Sequence, residues 1–177
     1  NFSYFRRTMR DVIDFGAGPG NFFGYINQNR QKDDGFEVEL AVQPFERLNI
    51  SGYYAYVDGT VRTPSGENFN LFRRPRNTVG AGADLQVSEK VSLSVMYRWA
   101  DKRRDRYYDA SIPPFGETVE VGLDPFHLLD AYLQYQPVQK LTLFVDAKNL
   151  LDTKYTEFAG YTTRGVNFNA GVKFLFQ

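Results

Sequence analysis

The sequence contains no cysteine and a single histidine, and it carries no excess of charge of either sign. Without cysteine the chain can form neither a disulfide framework nor a thiolate metal site. Its 21 basic and 21 acidic residues cancel, which argues against general nucleic-acid binding. No apolar run approaches the roughly 20 residues of a transmembrane helix, because Asp130, Asp146 and Lys148 interrupt the longest apolar clusters. These absences exclude a helical membrane span and cysteine chemistry.

Aromatic residues, by contrast, are abundant. The chain has 16 Phe, 12 Tyr and one Trp, yet its mean hydropathy is negative. The two properties conflict in a water-soluble core. They agree in a membrane β-strand, because one face of such a strand meets lipid and the other meets a wet lumen. Composition therefore favours a strand-built membrane protein.

Most of the chain alternates apolar residues with polar or small ones, which is the two-residue period of a β-strand. Tyr97 and Trp99 fall at one end of their segment, as expected for rings at a membrane interface. Only residues 1–15 alternate poorly. The apolar positions are Phe36, Val38, Leu40 and Val42; Leu48, Ile50, Tyr54 and Tyr56; Val79, Ala81, Ala83, Leu85 and Val87; Val91, Leu93, Val95, Tyr97 and Trp99; Leu129, Ala131, Leu133 and Tyr135; Leu141, Leu143, Val145 and Ala147; and Phe168, Ala170, Val172, Phe174 and Phe176.

The connections between these segments alternate in length. Short turns are predicted at 44–47, 88–90 and 137–140, and long polar or Gly/Pro-rich connections at 16–21, 62–70, 109–124 and 149–165. Short turns on one side and long loops on the other are typical of outer-membrane barrels, with the short side periplasmic and the long side extracellular. The sequence therefore predicts an all-β, antiparallel up-and-down transmembrane barrel wall of about eight strands.

Two other all-β architectures alternate in the same way. A soluble β-sandwich or lipocalin-like barrel is less favoured, because the apolar parity is uniform and several strands carry aromatic residues near their ends. A self-contained eight-stranded barrel, acting as an anchor or adhesin, requires a lumen filled by side chains. Gly80, Gly82 and Gly171, which share the polar face, argue against a filled lumen.

A motif near the end of the chain points to a family. The stretch VDAKNLLDTKY from Val145 to Tyr155, followed by GYTTRG at 160–165 and an alternating strand, resembles the C-terminal signature of TonB-dependent receptors. Three further stretches resemble the cobalamin-receptor branch found in gut Bacteroidetes: GYINQ at 24–28 with GFE at 35–37, YAYVDG at 54–59, and LFRRP at 71–75. The resemblance covers essentially the whole chain, as the closing third or less of a full receptor.

The resemblance implies a 22-stranded barrel, of which residues 1–177 supply about the last eight strands, with a plug domain and earlier strands upstream. It implies active import of a scarce nutrient, with cobalamin or another corrinoid as the first expectation and a siderophore or haem as the alternative. The implied partners are the TonB complex through the N-terminal region, a surface lipoprotein that captures ligand, and outer-membrane lipid and lipopolysaccharide. No cofactor is implied.

Both ends of the sequence suggest a fragment. The chain starts in strand-like residues at Asn1 with no basic segment followed by an apolar one. Receptors of this family usually end on the terminal aromatic residue, whereas here Gln177 follows Phe176. An open eight-stranded sheet would also leave two edges of unpaired backbone in lipid. We therefore expect further strands upstream of Asn1.

No motif supports catalysis or metal binding. The single histidine, His127, precedes an alternating strand and is interpreted as an interfacial residue. The glycine-rich stretch from Gly16 to Gly20 lacks the Lys and Ser/Thr of a phosphate loop, and a flexible connection explains it better. No acidic spacing resembles a calcium loop. We therefore predict neither an enzyme nor a metalloprotein.

Basic residues cluster in three places: Arg6, Arg7 and Arg10; Arg73, Arg74 and Arg76; and Arg98, Lys102, Arg103, Arg104 and Arg106. Arginine grips phosphate through paired hydrogen bonds, so one interpretation is binding of lipopolysaccharide or an anionic ligand. The other is a solvated strand extension paired with Asp101, Asp105 and Asp109. We favour the second for the third cluster and leave both open for Arg73 and Arg74.

Two sets of candidate site residues follow. A large, partly apolar ligand such as a corrinoid needs an aromatic contact surface with a few polar groups. The predicted ligand-binding residues are Tyr53, Arg73, Arg74, Tyr107, Tyr108, Phe158 and Tyr161. The residues of the family motif are predicted to be structural, with glycine permitting turns and Asp satisfying loop donors. They are Asn149, Leu150, Asp152, Tyr155, Gly160 and Gly165.

Overall fold

The computed structural model describes residues 1–17, 23–63, 66–69 and 71–176. Part of the glycine-rich stretch, part of the predicted 62–70 connection and Gln177 lie outside the described residues. Within the described part of the chain, no helix has the length and apolar character needed to cross a membrane. Eleven strands lie there: β1 (Phe2–Ala17), β2 (Phe23–Phe45), β3 (Leu48–Thr63), β4 (Gly66–Phe69), β5 (Asn77–Ser88), β6 (Val91–Ala100), β7 (Arg103–Asp109), β8 (Glu117–Leu123), β9 (Phe126–Val138), β10 (Leu141–Lys148) and β11 (Asn167–Phe174).

Eight of these strands form one antiparallel path in the order β1-β2-β3-β5-β6-β9-β10-β11. Each strand inside the path pairs with the strands on both sides of it, and β1 and β11 form the two ends, which is an up-and-down meander. The remaining three strands lie off the path: β4 pairs with β3, and β7 pairs with β8 in a separate hairpin. The predicted all-β antiparallel class and the approximate strand number are confirmed.

Two connections differ from the prediction. The stretch predicted as a loop at 109–124 contains β8, which pairs with β7 to form a hairpin. The stretch predicted as a loop at 62–70 begins inside β3, which ends at Thr63, and it also contains β4. The strand before β8, β7, lacks the apolar parity of the wall because charged residues such as Asp105 and Arg106 occupy both of its faces. Alternation is therefore a guide only where lipid touches one face.

The same reason explains the first segment. Residues 1–15 alternate poorly, yet β1 pairs with β2 from Phe2 to Ala17. Its lower part contributes Phe2 and Tyr4 to the apolar face, opposite Val38 and Phe36. Its upper part places charged residues opposite one another, as in the pair Arg7 and Asp33. Backbone pairing thus continues after the apolar pattern has stopped.

The register joins the apolar positions of neighbouring strands into one continuous face. One row runs from Leu48 through Leu85, Leu93, Leu133 and Val145 to Ala170. Another runs from Tyr54 through Val79 to Trp99 and His127. Side chains of this face are exposed or half-buried except for Ala147, with 64% exposure for Leu40 and 66% for Val172. The apolar set thus lines an outer surface rather than an enclosed core.

Glycine residues on the polar face lie directly beneath aromatic rings of the neighbouring strand. Tyr53 lies over Gly80, Phe144 over Gly171, and each pair is also a register pair. Phe5 lies in the same way beside Gly35. The rings cover the exposed backbone that a glycine leaves.

Gly35 is the most constrained of these positions, which leads to a stability prediction. A Cβ atom there would overlap the backbone carbonyl oxygen of Tyr56, whereas at Gly171 it would meet only the far end of the Phe144 ring. We expect Gly35→Ala to cost about 1–3 kcal/mol of unfolding free energy, as overpacking does. Gly171→Ala should cost less, because the ring can swing away. Urea titration of the full-length receptor in lipid vesicles measures both, and an equal cost would contradict the distinction.

Candidate functional site

The long connections gather at one rim of the sheet and the short turns at the other. Strands β2 and β3, β5 and β6, and β9 and β10 are each joined by a two-residue turn. The opposite rim carries the β3–β5 connection, the β7–β8 hairpin and the β10–β11 loop at 149–166. We call this the loop rim. Every described residue that we singled out as a ligand candidate, except Tyr53, lies at or above it.

The β10–β11 loop folds across the polar face of the sheet. Tyr155 packs on Phe126 with ring centroids 4.6 Å apart, and it covers the small buried core formed by Ala100, Phe126 and Leu128. Arg98, on the same face, pairs with Glu157 of the loop at 3.0 Å. Since Phe126 and Leu128 have the parity opposite to His127, the loop covers the inner side of the wall.

A buried carboxylate, Asp105, lies where three connections meet. Its side chain is 1% exposed. Oδ1 accepts hydrogen bonds from Arg73 Nε at 2.6 Å and from the Arg106 N–H at 2.7 Å, and Oδ2 accepts the Ala159 N–H at 2.8 Å. Asp105 therefore links the β7–β8 hairpin to the β3–β5 connection and to the β10–β11 loop.

The charge on Asp105 is maintained by these donors. Burial opposes ionisation, but the hydrogen bonds from Arg73, Ala159 and Arg106 outweigh it and hold the pKa of Asp105 below its ordinary value. A lowered folded-state pKa contributes stability above the unfolded pKa, and that contribution is lost as pH falls through the folded pKa. The junction is therefore intact at neutral pH and weakens only in acid.

Arginine–aromatic contacts reinforce the same junction. The Arg73 guanidinium lies 5.4 Å from the centre of the Phe158 ring, and the Arg106 guanidinium lies 4.2 Å from that of Phe72. The backbone N–H of Arg73 also donates to the Arg104 carbonyl at 2.8 Å. Together these contacts fix the β3–β5 connection against β7.

Four of the predicted ligand residues come together here. Phe158 and Tyr161 belong to one turn, in which the Tyr161 N–H donates to the Phe158 carbonyl at 3.1 Å. Gly160 permits the turn because its φ is +83°. The Tyr107 ring lies beside Gly160, and Arg73 lies on Phe158. We call residues 158–161 the aromatic turn.

The other three predicted ligand residues lie elsewhere. Tyr53 is on the wall, with its ring on Gly80. The Tyr108 hydroxyl donates to the carbonyl of Phe115 within the β7–β8 hairpin. Arg74 lies 4.0 Å from the buried Asp33, which Arg7 also contacts.

The ion pairs of the third basic cluster differ from the expected ones. Of the three aspartates named as partners, only Asp105 binds an arginine side chain among the described contacts, and that arginine is Arg73 of the second cluster. Asp101 accepts from Asn77 at 2.7 Å, and Asp109 accepts from Ser111. The cluster pairs instead with glutamates, as Arg106 does with Glu120 at 2.6 Å. Sequence proximity is a poor guide because these partners come from other strands and loops.

The motif residue Asn149 organises the base of the β10–β11 loop. It is 4% exposed and has a φ of +51°. Its Oδ1 accepts from the Thr153 N–H at 2.9 Å, and its Nδ2 donates to the carbonyls of Thr153 at 3.0 Å and Arg164 at 3.2 Å. Its own N–H donates to Asp130 at 2.9 Å. Both ends of the loop are thereby tied to one side chain.

The remaining motif residues also have local roles. Asp152 accepts the Val166 N–H at 3.1 Å, and this bond, with Lys154, lowers the pKa of Asp152. Gly165 leaves the space that the Asp152 carboxylate occupies. Leu150 donates its N–H to the Leu129 carbonyl at 2.7 Å. Across the described residues, no three His, Cys, Asp or Glu side chains come together as a metal site.

Comparison with known proteins agrees with this architecture. The family model described as "TonB dependent receptor-like, beta-barrel" matches residues 1–150. The vitamin B12 transporter BtuB of Vibrio cholerae is 25% identical over 168 residues, covering 94% of this chain and 25% of the transporter. The ferripyoverdine receptor of Pseudomonas aeruginosa superposes with a TM-score of 0.74 at 16% identity, covering 98% of this chain and 24% of the receptor. The ferric-catecholate import receptor Fiu of E. coli gives 0.70 at 17% identity, covering 99% and 25%.

These matches differ in what they establish. The chain spans about a quarter of the length of the curated relatives it matches. The solved structures show the same fold, but their sequence identities of 16% and 17% are too low to indicate a shared ligand. The family model, however, covers most of the chain, including strands β1 to β10 and the loop rim as far as Leu150. The chain belongs to the TonB-dependent receptor β-barrel family, whose members are receptors and transporters of the outer membrane and not enzymes.

Proposed function

We propose that this chain is part of a transporter that imports cobalamin or another corrinoid across the outer membrane, with energy delivered through TonB. Residues 1–177 would form about the last eight strands of a 22-stranded barrel. The plug and the TonB contact would lie in upstream sequence. The similarity to the vitamin B12 transporter of Vibrio cholerae supports this cargo.

The observation that carries the proposal is the chemistry of the loop rim. The aromatic turn exposes Phe158 and Tyr161, at 48% and 74%. The neighbouring cation Arg73 already binds the buried Asp105, and Arg98 already binds Glu157. A surface of exposed rings beside neutralised cations suits a large ligand with apolar edges and few charges, which describes a corrinoid.

The bacterial surface would supply the other partners. A surface lipoprotein that captures ligand would act above the loop rim, and lipid with lipopolysaccharide would surround the apolar face. Phe2, Tyr4 and Phe36, which stack or pair on that face, suit contact with lipid.

Cells with and without the full-length gene test the cargo. We expect uptake of radiolabelled cyanocobalamin at nanomolar concentration to require the gene and an intact TonB complex, because passive entry of so large a solute is slow. Growth on limiting cobalamin provides a second measurement. Equal uptake in both strains would contradict the cargo assignment.

An iron chelate is the second candidate, because the similar solved structures include a ferripyoverdine receptor and a ferric enterobactin receptor from Pseudomonas aeruginosa. Ferric catecholates are strongly anionic and would need unpaired cations, which the paired Arg73 and Arg98 do not offer. Uptake of ferric enterobactin in the same two strains separates the candidates. Nothing supports the small anchor or adhesin barrel, because β1 and β11 end the described sheet path and do not pair with each other, as a closed eight-stranded barrel requires.

A further inference from the structure

The aromatic turn exposes its large side chains and buries its small one. Ala159 is 8% exposed, whereas Phe158 before it is 48% exposed and Tyr161 after it is 74% exposed. Apolar burial alone would produce the reverse arrangement, since rings gain more than a methyl group on leaving water. The turn is held instead by a polar contact, in which the Ala159 N–H donates to Asp105 at 2.8 Å.

We propose that Asp105 is a positioning residue that holds the aromatic turn in its ligand-contacting conformation. The inference rests on the proposed function, because it assumes that the loop rim binds the imported ligand. Asp105 itself is too buried to touch a ligand. It acts through Ala159, which it binds directly, and through Arg73, whose guanidinium lies on Phe158.

The physical basis is preorganisation. A turn that is mobile before binding must be ordered by the ligand, and the ordering cost is subtracted from the affinity. Asp105 orders the turn during folding, before any ligand binds, because its carboxylate accepts hydrogen bonds from the β3–β5 connection, from β7 and from the β10–β11 loop. Removing its charge leaves the rings present but no longer held together.

The test uses the full-length receptor with Asp105→Asn. Asp84→Asn is the matched control, because Asp84 lies on β5 in the wall and its described partner is Ser94 of β6, away from the loop rim. We expect amide exchange at Ala159 to accelerate at least about tenfold and the Kd for cyanocobalamin to rise about tenfold in Asp105→Asn. The thermal unfolding temperature of the barrel should fall only slightly in Asp105→Asn, because the junction lies outside the wall. Both properties of the control should stay as in the wild type.

A double variant distinguishes positioning from general damage. Phe158→Ala should weaken binding strongly in the wild type and only slightly in Asp105→Asn, because the turn is already displaced. If Asp105→Asn fails to assemble, Arg73→Gln removes the arginine that binds the same carboxylate, and Arg73 is exposed enough for the substitution to be tolerated. This variant should accelerate amide exchange at Ala159 and weaken binding, as Asp105→Asn does.

Three results would overturn the inference: unchanged exchange at Ala159, unchanged affinity in Asp105→Asn, or additive losses in the double variant. Failure of the wild-type receptor to bind cyanocobalamin would instead overturn the corrinoid assignment. Ferric enterobactin then replaces cyanocobalamin in the same series, and the same three results decide the inference.

Discussion

Replacing Val95 by arginine should cost about 2–4 kcal/mol of folding free energy, the penalty for a cation at the middle of a lipid-facing strand. Val95 is central in β6, on the apolar face, with Ala83 and Ala131 as its neighbours across the two adjoining strands. None of these offers a partner for a guanidinium. Lipid would therefore have to solvate the charge.

Met96→Arg is the matched control, because it places the same charge one residue along the same strand. Met96 belongs to the opposite face, is 51% exposed and lies across from Asp130. We expect this variant to lose less than about 1 kcal/mol. Urea unfolding in vesicles and the heat-modifiable fraction of receptor in outer membranes measure both variants. Equal losses would contradict the assignment of the two faces, and with it the membrane interpretation.

The wall could be predicted from the sequence because lipid imposes one rule along its entire length. Ala81, Leu93 and Phe174 share the apolar face, and a period of two identifies them without knowledge of the pairing. The alternation of apolar and polar residues stops where the strands extend beyond the lipid. Residues such as Arg7 and Asp33 are fixed by each other, and no local pattern reports a partner on another strand.

The candidate site could be predicted only in part. Residue chemistry identified Arg73 and Phe158 separately, and the fold brings them into contact across two different connections. Asp105 was overlooked as a junction, because in a segment rich in arginine it looked like a solvated counter-charge. The strand extension that we favoured for this cluster is confirmed as β7, in which Arg103, Asp105 and Tyr107 share a parity. The sequence did not show that Arg103 and Asp105 are buried rather than solvated.

Asn149→Ala should open the β10–β11 loop at a cost of about 4–5 kcal/mol. The variant loses three side-chain hydrogen bonds, each worth about 1 kcal/mol. It also places alanine at a φ of +51°, a left-handed conformation that costs non-glycine residues roughly 1–2 kcal/mol. Asparagine tolerates this conformation better than most residues, so one residue type meets both requirements. Amide exchange at Thr153 and Val166 measures the opening.

Two further substitutions separate the causes. Asn149→Gly keeps the left-handed backbone without strain, so it should lose only the hydrogen-bond part. Asn149→Asp keeps the acceptor for the Thr153 N–H but directs a carboxylate oxygen at the carbonyls of Thr153 and Arg164, so it should be no more stable than Asn149→Gly. An aspartate variant as protected as the wild type would show that the Nδ2 donor does not hold the loop. The aromatic turn lies within this loop, so its position depends on Asn149 at the base as well as on Asp105 at the rim.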